Sequence, residues 1–142
     1  MSYTSVFRPD LFIGQTIVVT GGGSGIGRCT AHELASLGAH VFLVGRTVSK
    51  LERVCAEIVE DGGQASFAPC DIRGEPDVTK LISTVLEQRG ALHALVNNAG
   101  GQFPAPLVGI NKKGWDAVVA TNLTGGFLMA REAYTQHMGA HG

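Results

Sequence analysis

Short apolar runs alternate with longer amphipathic stretches along the chain. Thr16-Ile17-Val18-Val19-Thr20, Val41-Phe42-Leu43-Val44, Ala65-Ser66-Phe67-Ala68 and Leu92-His93-Ala94-Leu95-Val96 have the length and character of strands. The first two are apolar almost throughout, as in strands covered on both faces of a parallel sheet. Between the runs the period lengthens. Over 28–38, Ala31, Leu34 and Ala35 make a stripe that ends at Gly38, a residue suited to a left-handed stop. The 49–61 segment opens on Ser49-Lys50-Leu51-Glu52, a capping-box pattern, and places Leu51, Val54, Cys55 and Ile58 on one face. Pro76 suits the first turn of a helix over 76–89 lined by Val78, Leu81, Ile82, Val85 and Leu86, with Gly90 as its stop. A last helix is expected over 111–138. Strand following helix in this way predicts right-handed βαβ units, and so an α/β, doubly wound parallel sheet with strands in the order 3-2-1-4. No composition shift, repeat or low-complexity tract divides residues 1–142, so one domain is expected.

Composition sharpens this picture at the glycines. They number 20 of 142 residues, roughly twice the usual share, and they cluster without a three-residue period, which marks points of tight bending or close approach. A hydrophobic fraction of 44% against 16% charged residues supports a real core. The net charge of -1 removes the broad positive field of a nucleic-acid binder. Cys29, Cys55 and Cys70 form no C-x-x-C pair, so no disulfide framework or metal site is suggested and a reducing, cytoplasmic setting is expected. The first ten residues hold no apolar run of the signal-peptide type, and no stretch is long and apolar enough to span a membrane.

The densest glycine cluster, Thr20-Gly21-Gly22-Gly23-Ser24-Gly25-Ile26-Gly27, follows the first strand and opens the first helix. Such a turn aims backbone N–H groups at a helix N-terminus toward a pyrophosphate, helped by the positive end of the helix dipole. No Gly-Lys-Ser/Thr follows, so the P-loop alternative fails. The second strand ends Val44-Gly45-Arg46, where an NAD-specific protein carries an acid for the ribose 2′-hydroxyl. That acid is missing. Arg46, with Lys50 one helical turn on, can instead pair with a 2′-phosphate, which favours NADP; the alternative is a solvated surface arginine. Cys70-Asp71-Ile72 and Asn97-Asn98-Ala99-Gly100 stand at the carboxyl ends of the third and fourth strands, the ligand side of open α/β sheets.

The T-G-x-x-x-G-x-G spacing, with these segments in this order, resembles the short-chain dehydrogenase/reductase family, over about residues 14 to 142. The resemblance implies a Rossmann fold in which Gly21, Gly25 and Gly27 are the motif glycines and Ser24 and Ile26 lie beside the cofactor. It implies that Asp71 and Ile72 hold the adenine end, while Asn98, Ala99 and Gly100 run along the cofactor and steady the central strand. On local grounds alone Asp71 reads as a turn-former and the asparagines as a strand end. Asn122 falls on the apolar side of the last helical stripe with Trp115, Val118 and Val119, flanked by Thr121 and Thr124. A buried amide needs partners. The resemblance gives Asn122 a catalytic place, its main-chain carbonyl holding a water on a proton relay; the alternative is an asparagine that kinks its helix and bonds to a neighbouring loop.

Family members also use a Tyr-x-x-x-Lys pair as general acid–base, with a serine upstream. Here Tyr3 is followed by Phe7 and Tyr134 by Met138, and no serine follows Ser83. The chain therefore reads as the N-terminal, cofactor-binding part, residues 1–142, of one Rossmann domain incomplete at its C-terminus. Asn97-Asn98-Ala99-Gly100-Gly101-Gln102-Phe103 looks most like the peroxisomal trans-2-enoyl-CoA reductase branch, although Ala99 replaces a glycine, and more loosely like the dienoyl-CoA reductases. The expected activity is NADP-dependent reduction of an enoyl-CoA or carbonyl compound; the alternative is a nucleotide-binding module without turnover. The resemblance implies a small-molecule substrate, an acyl-CoA thioester among the candidates, and a homo-oligomer, dimer or tetramer, with the helix of Asn122 at one interface.

Overall fold

The computed structural model describes residues 5–141; Tyr3 and Gly142 lie outside them. Strands β1 (Thr16–Thr20), β2 (His40–Gly45), β3 (Gln64–Pro69) and β4 (Ala94–Val96) form one parallel sheet in the order β3-β2-β1-β4. The expected order is the observed one. β1 and β2 are central and buried, whereas β3 and β4 are the edges and are only half-buried along most of their length. Side chains alternate between two cores, as the period of a strand requires. Ile17, Val19, Val41 and Leu43 face the helices α1 (Gly25–Ser36) and α2 (Val48–Glu60), meeting Ala31, Ala35, Leu51, Val54 and Ile58. Val18, Phe42 and Val44 face the other side, where α3 (Glu75–Arg89) brings Val78, Ile82 and Val85.

Helix boundaries depart from the sequence reading in instructive ways. Pro76 is in the first turn of α3 and Gly90 ends it in the left-handed region at φ 76°. The Ser49 capping box does not form: α2 starts one residue earlier, because the N–H groups of Lys50 and Leu51 both reach back to the Thr47 carbonyl, and Thr47 is the cap residue. The last helix is continuous but not uniform. It runs through α4 (Lys112–Val119), a π-turn at Ala120–Thr124, α5 (Gly125–Ala133), a second π-turn at Tyr134–Met138 and a final turn α6 (Gly139–His141). Each π-turn adds a residue to the turn and rotates everything beyond it. The stripe drawn at a constant period breaks across the first of them: Leu128, Met129 and Ala133 beyond it are buried, whereas Trp115 before it is 61% exposed and Asn122 within it is exposed as well. No helix among the described residues is long and apolar enough to cross a membrane.

Candidate cofactor site

The carboxyl ends of β1 and β2, and the segments that follow β3 and β4, open onto one cleft. It is lined by Gly21, Gly23, Ser24, Val44, Gly45, Arg46, Asp71, Ile72, Asn98, Ala99 and Gly100, together with Thr47, Lys50, Arg73 and Thr121. The structure thus brings together most of the residues that the sequence singled out. Gly25, Ile26, Gly27 and Asn122 do not line it. Gly27 is buried beneath the loop, and the Ile26 side chain is 79% exposed on the helix surface.

The loop between β1 and α1 is held by sterics and by one threonine. Gly21 has φ +68°, and a Cβ there would meet Asn98 Nδ2 at 2.8 Å. A Cβ on Gly27 would lie 2.3 Å from the Gly21 carbonyl oxygen and 2.4 Å from Asn98 Nδ2. Glycine is required at Gly21 by its left-handed φ and the Asn98 amide, and at Gly27 because the Gly21 carbonyl sits where a side chain would go. The buried Thr20 hydroxyl accepts from the N–H groups of Asn98 and Ala99, each at 3.0 Å, and donates to the Val96 carbonyl at 3.3 Å. Asn98 Nδ2 in turn donates to the Thr20 carbonyl at 2.9 Å. The loop after β4 is thereby bolted to the end of β1. Ser24 precedes α1 in an extended conformation without capping it, which leaves the Ser24 hydroxyl and the first-turn N–H groups open to an anion.

The other end of the cleft is made of side chains. Asp71 Oδ1 accepts from the Arg73 backbone N–H at 3.1 Å and from Arg73 Nε at 2.8 Å; Oδ2 accepts from Nε at 3.1 Å and from Nη2. The Arg73 guanidinium holds the Asp71 carboxyl down to about 2, burial opposing and the Arg73 N–H and nearby Arg46 adding to the effect. Asp71 is also the turn-former that its local context suggests, since the Gly74 N–H reaches its carbonyl at 3.0 Å just before α3. Burial pushes the neighbouring Cys70 thiol up to about 11, with Asp77 and Asp71 adding, so it is no nucleophile at neutral pH.

Asn122 stands in the first π-turn with both ends of its amide on one residue. Gly101 N donates to Oδ1 and Nδ2 donates to Gly101 O, each at 2.8 Å. A Cβ on Gly100 would meet that Oδ1 at 2.9 Å. The amide is satisfied by a loop, as in the alternative reading of Asn122, but at the surface and not within a core. Phe103 lies against Gly114, where a Cβ would meet its ring at 2.7 Å, so its ring packs on α4. Arg73 and Thr47 were not among the residues singled out from sequence; the only signal for Arg73 is its position two residues after Asp71.

The sequence of residues 15–142 matches the family described as short chain dehydrogenase. The chain belongs to the short-chain dehydrogenase family. It is 40% identical over 124 residues to a glucose 1-dehydrogenase of Gluconobacter oxydans, covering 87% of this chain and 47% of that one. It is 34% identical to a probable 2,4-dienoyl-CoA reductase of Bacillus subtilis, covering 84% of this chain and again 47% of the relative. Among solved structures, a citronellol catabolism dehydrogenase of Pseudomonas aeruginosa PAO1 superposes with a TM-score of 0.95 at 61% identity, over 99% of this chain and 57% of the other. A metagenomic short-chain oxidoreductase in complex with NADP superposes with a TM-score of 0.84 at 42% identity, covering 91% and 58%. The chain spans about half the length of the curated short-chain dehydrogenases that it matches. These relatives carry different substrates in their names, and the family does not single out an enoyl-CoA.

Proposed function

We propose that this chain is the cofactor-binding part of an NADP-dependent oxidoreductase. The observation that carries the reading is the end of β2: it holds no carboxylate, and Arg46 and Lys50 line the cleft there without an ion pair of their own among the described residues. The backbone cradle fits a dinucleotide, since the glycines at 21 and 27 leave no room for side chains and the start of α1 is uncapped. Gly21, Ser24 and the first-turn N–H groups of Gly25 and Ile26 would hold the pyrophosphate, with Gly27 letting the loop close beneath it; Arg46 and Lys50 would hold the 2′-phosphate, Asp71 and Ile72 the adenine, and Asn98, Ala99 and Gly100 the nicotinamide side. When bound, NADPH supplies a hydride.

Asn122 fixes Gly101, and with it the path of the loop beside Gly100. We assign its own main-chain carbonyl to a proton relay in the complete site. The chain holds no Tyr-x-x-x-Lys pair, so the 142 residues bind the cofactor without turning over. The substrate class is an enoyl-CoA or a carbonyl compound, in keeping with the probable dienoyl-CoA reductase, the glucose 1-dehydrogenase and the citronellol catabolism dehydrogenase among the relatives. The setting is a reducing one, the cytoplasm. Trp115, Leu123, Phe127 and Tyr134, all exposed on the last helix, support assembly with further copies.

The test is equilibrium titration of the protein with NADPH and NADH, followed by nicotinamide fluorescence. NADPH is expected to bind at least roughly tenfold more tightly, the effect of one charge-assisted phosphate contact. Equal affinity, or a preference for NADH, overturns the reading. Oxidation of bound NADPH by crotonyl-CoA or an aliphatic aldehyde, catalysed by these residues alone, overturns the claim that they do not turn over.

A further inference from the structure

The Arg73 side chain is the part of the cleft that the cofactor reading leaves without a task. It lines the cleft, its side chain is 39% exposed, and its fork lies on Asp71. A carboxylate has about four lone-pair positions. The Arg73 backbone N–H takes Oδ1, Nη2 takes Oδ2 and the Nε–H is shared between the two, so three N–H groups occupy Asp71 and about one position stays open. An adenine amino group is a donor and needs such a lone pair. At Asp71 it competes with the arginine fork for the same two oxygens.

The charges around the fork decide what can make it do so. Arg46, Lys50 and Arg73 line the cleft against the single carboxylate of Asp71. Arg46 and Asp71 line this cleft together and share the depression beside it, so Arg46 stands in the neighbourhood of the carboxylate that Arg73 holds. A ligand that puts a phosphate monoester into this neighbourhood offers the guanidinium a second fork-shaped acceptor with more charge than the one it leaves. A ligand with a free hydroxyl there offers no such exchange.

We propose that Arg73 determines cofactor specificity by exchanging partners: it latches Asp71 when the adenosine end is empty and turns onto the 2′-phosphate when NADP(H) enters, freeing the Asp71 carboxylate for adenine. This rests on the cofactor reading given above and deepens it. The latch handicaps NAD(H), whose adenine shares Asp71 with the fork and brings no anion to draw the arginine away. Arg46 by contrast has no carboxylate fork to leave and contributes its charge without a switch.

Titrations of wild type, Arg73→Ala and Arg73→Lys with NADPH and with NADH test the exchange, each variant checked for folding by circular dichroism. Arg73→Ala is expected to weaken NADPH about tenfold while leaving NADH unchanged or tighter, because one cation is lost and Asp71 is unlatched. Arg73→Lys keeps the charge without the fork and recovers part of the NADPH preference. An arginine that only braces the turn before α3 weakens both cofactors together, and an unchanged NADPH/NADH ratio overturns the proposal. Arg73→Gln, which keeps a donor for Asp71 without the charge, gives the same reading if the alanine variant loses the turn. A wild-type protein that prefers NADH sinks the cofactor reading itself; one that prefers NADPH, and keeps that preference in Arg73→Ala and Arg73→Gln, sinks the exchange alone.

Discussion

The two ends of the cleft are built by different physics. At the glycine loop, backbone meets backbone: Gly21 and Gly27 are packed so closely around Asn98 that neither tolerates a Cβ, and Thr20 is fully buried. At the far end, Arg46, Lys50, Asp71 and Arg73 are flexible side chains on the rim, with Arg46 and Lys50 exposed and the Asp71–Arg73 pair only partly covered. The first end has one arrangement because close packing leaves no other. The second has several, separated by exchanges between charged partners. Substitutions at the first end should therefore cost stability together with binding, and at the second they should change preference while leaving the fold alone.

The largest effect is expected from Gly27→Ala. The added methyl would be 2.3 Å from the Gly21 carbonyl and 2.4 Å from Asn98 Nδ2, and at least one of these is main chain that must move. Overpacking of this kind costs about 3 kcal/mol. Urea unfolding should show that loss, and NADPH binding should fall with it because the displaced carbonyl belongs to the loop itself. Wild-type stability in Gly27→Ala would mean that the loop leaves room for a side chain at this position.

Thr20→Val comes next. The valine keeps the shape and removes the hydroxyl. Asn98 N–H retains a second acceptor, the Val96 carbonyl at 3.0 Å, but the Ala99 N–H loses its partner. One unsatisfied donor costs about 2 kcal/mol, measurable as a lowered urea midpoint, and Thr20→Ser should restore most of it. If valine and serine behave alike, the bolt between β1 and the loop after β4 carries no weight.

This contrast also explains what could be read from the residues. Apolar runs located β1 and β2, and the glycine spacing located the loop, because both report local steric demands that only certain residue types meet. The last helix resisted reading for the opposite reason. A π-turn is the insertion of one residue into a turn, nothing in Ala120–Thr124 announces it, and Asn122 stands within it at the surface and not on the expected buried face. Thr20 looked like the end of a strand; its role as acceptor for Asn98 and Ala99 depends on two segments brought together across the sheet. The Asp71–Arg73 fork was invisible because any pair of opposite charges two residues apart looks the same in a sequence, whether they meet or both point into water.

The smallest effect, and the one that bears most directly on the charged end, is the titration of Asp71. Its folded value lies near 2, below the ordinary 3.8, chiefly because the Arg73 fork holds the charged form. A carboxylate depressed in this way stabilises the folded state above its ordinary value and loses that contribution as the pH falls through the folded one, so the window runs from roughly pH 4 down to 2. With side-chain exposures of 35% for Asp71 and 39% for Arg73, solvent screening reduces the contribution to under about 1 kcal/mol. The carboxyl carbon shift of Asp71, followed by NMR, should titrate near 2 in the wild type and move up toward the ordinary value in Arg73→Ala. High salt should raise the wild-type midpoint in the same direction by screening the pair. A wild-type midpoint already near 3.8 would mean that the fork does not persist in solution; the distinction between a cleft end fixed by packing and one poised by charge would then lose its second half.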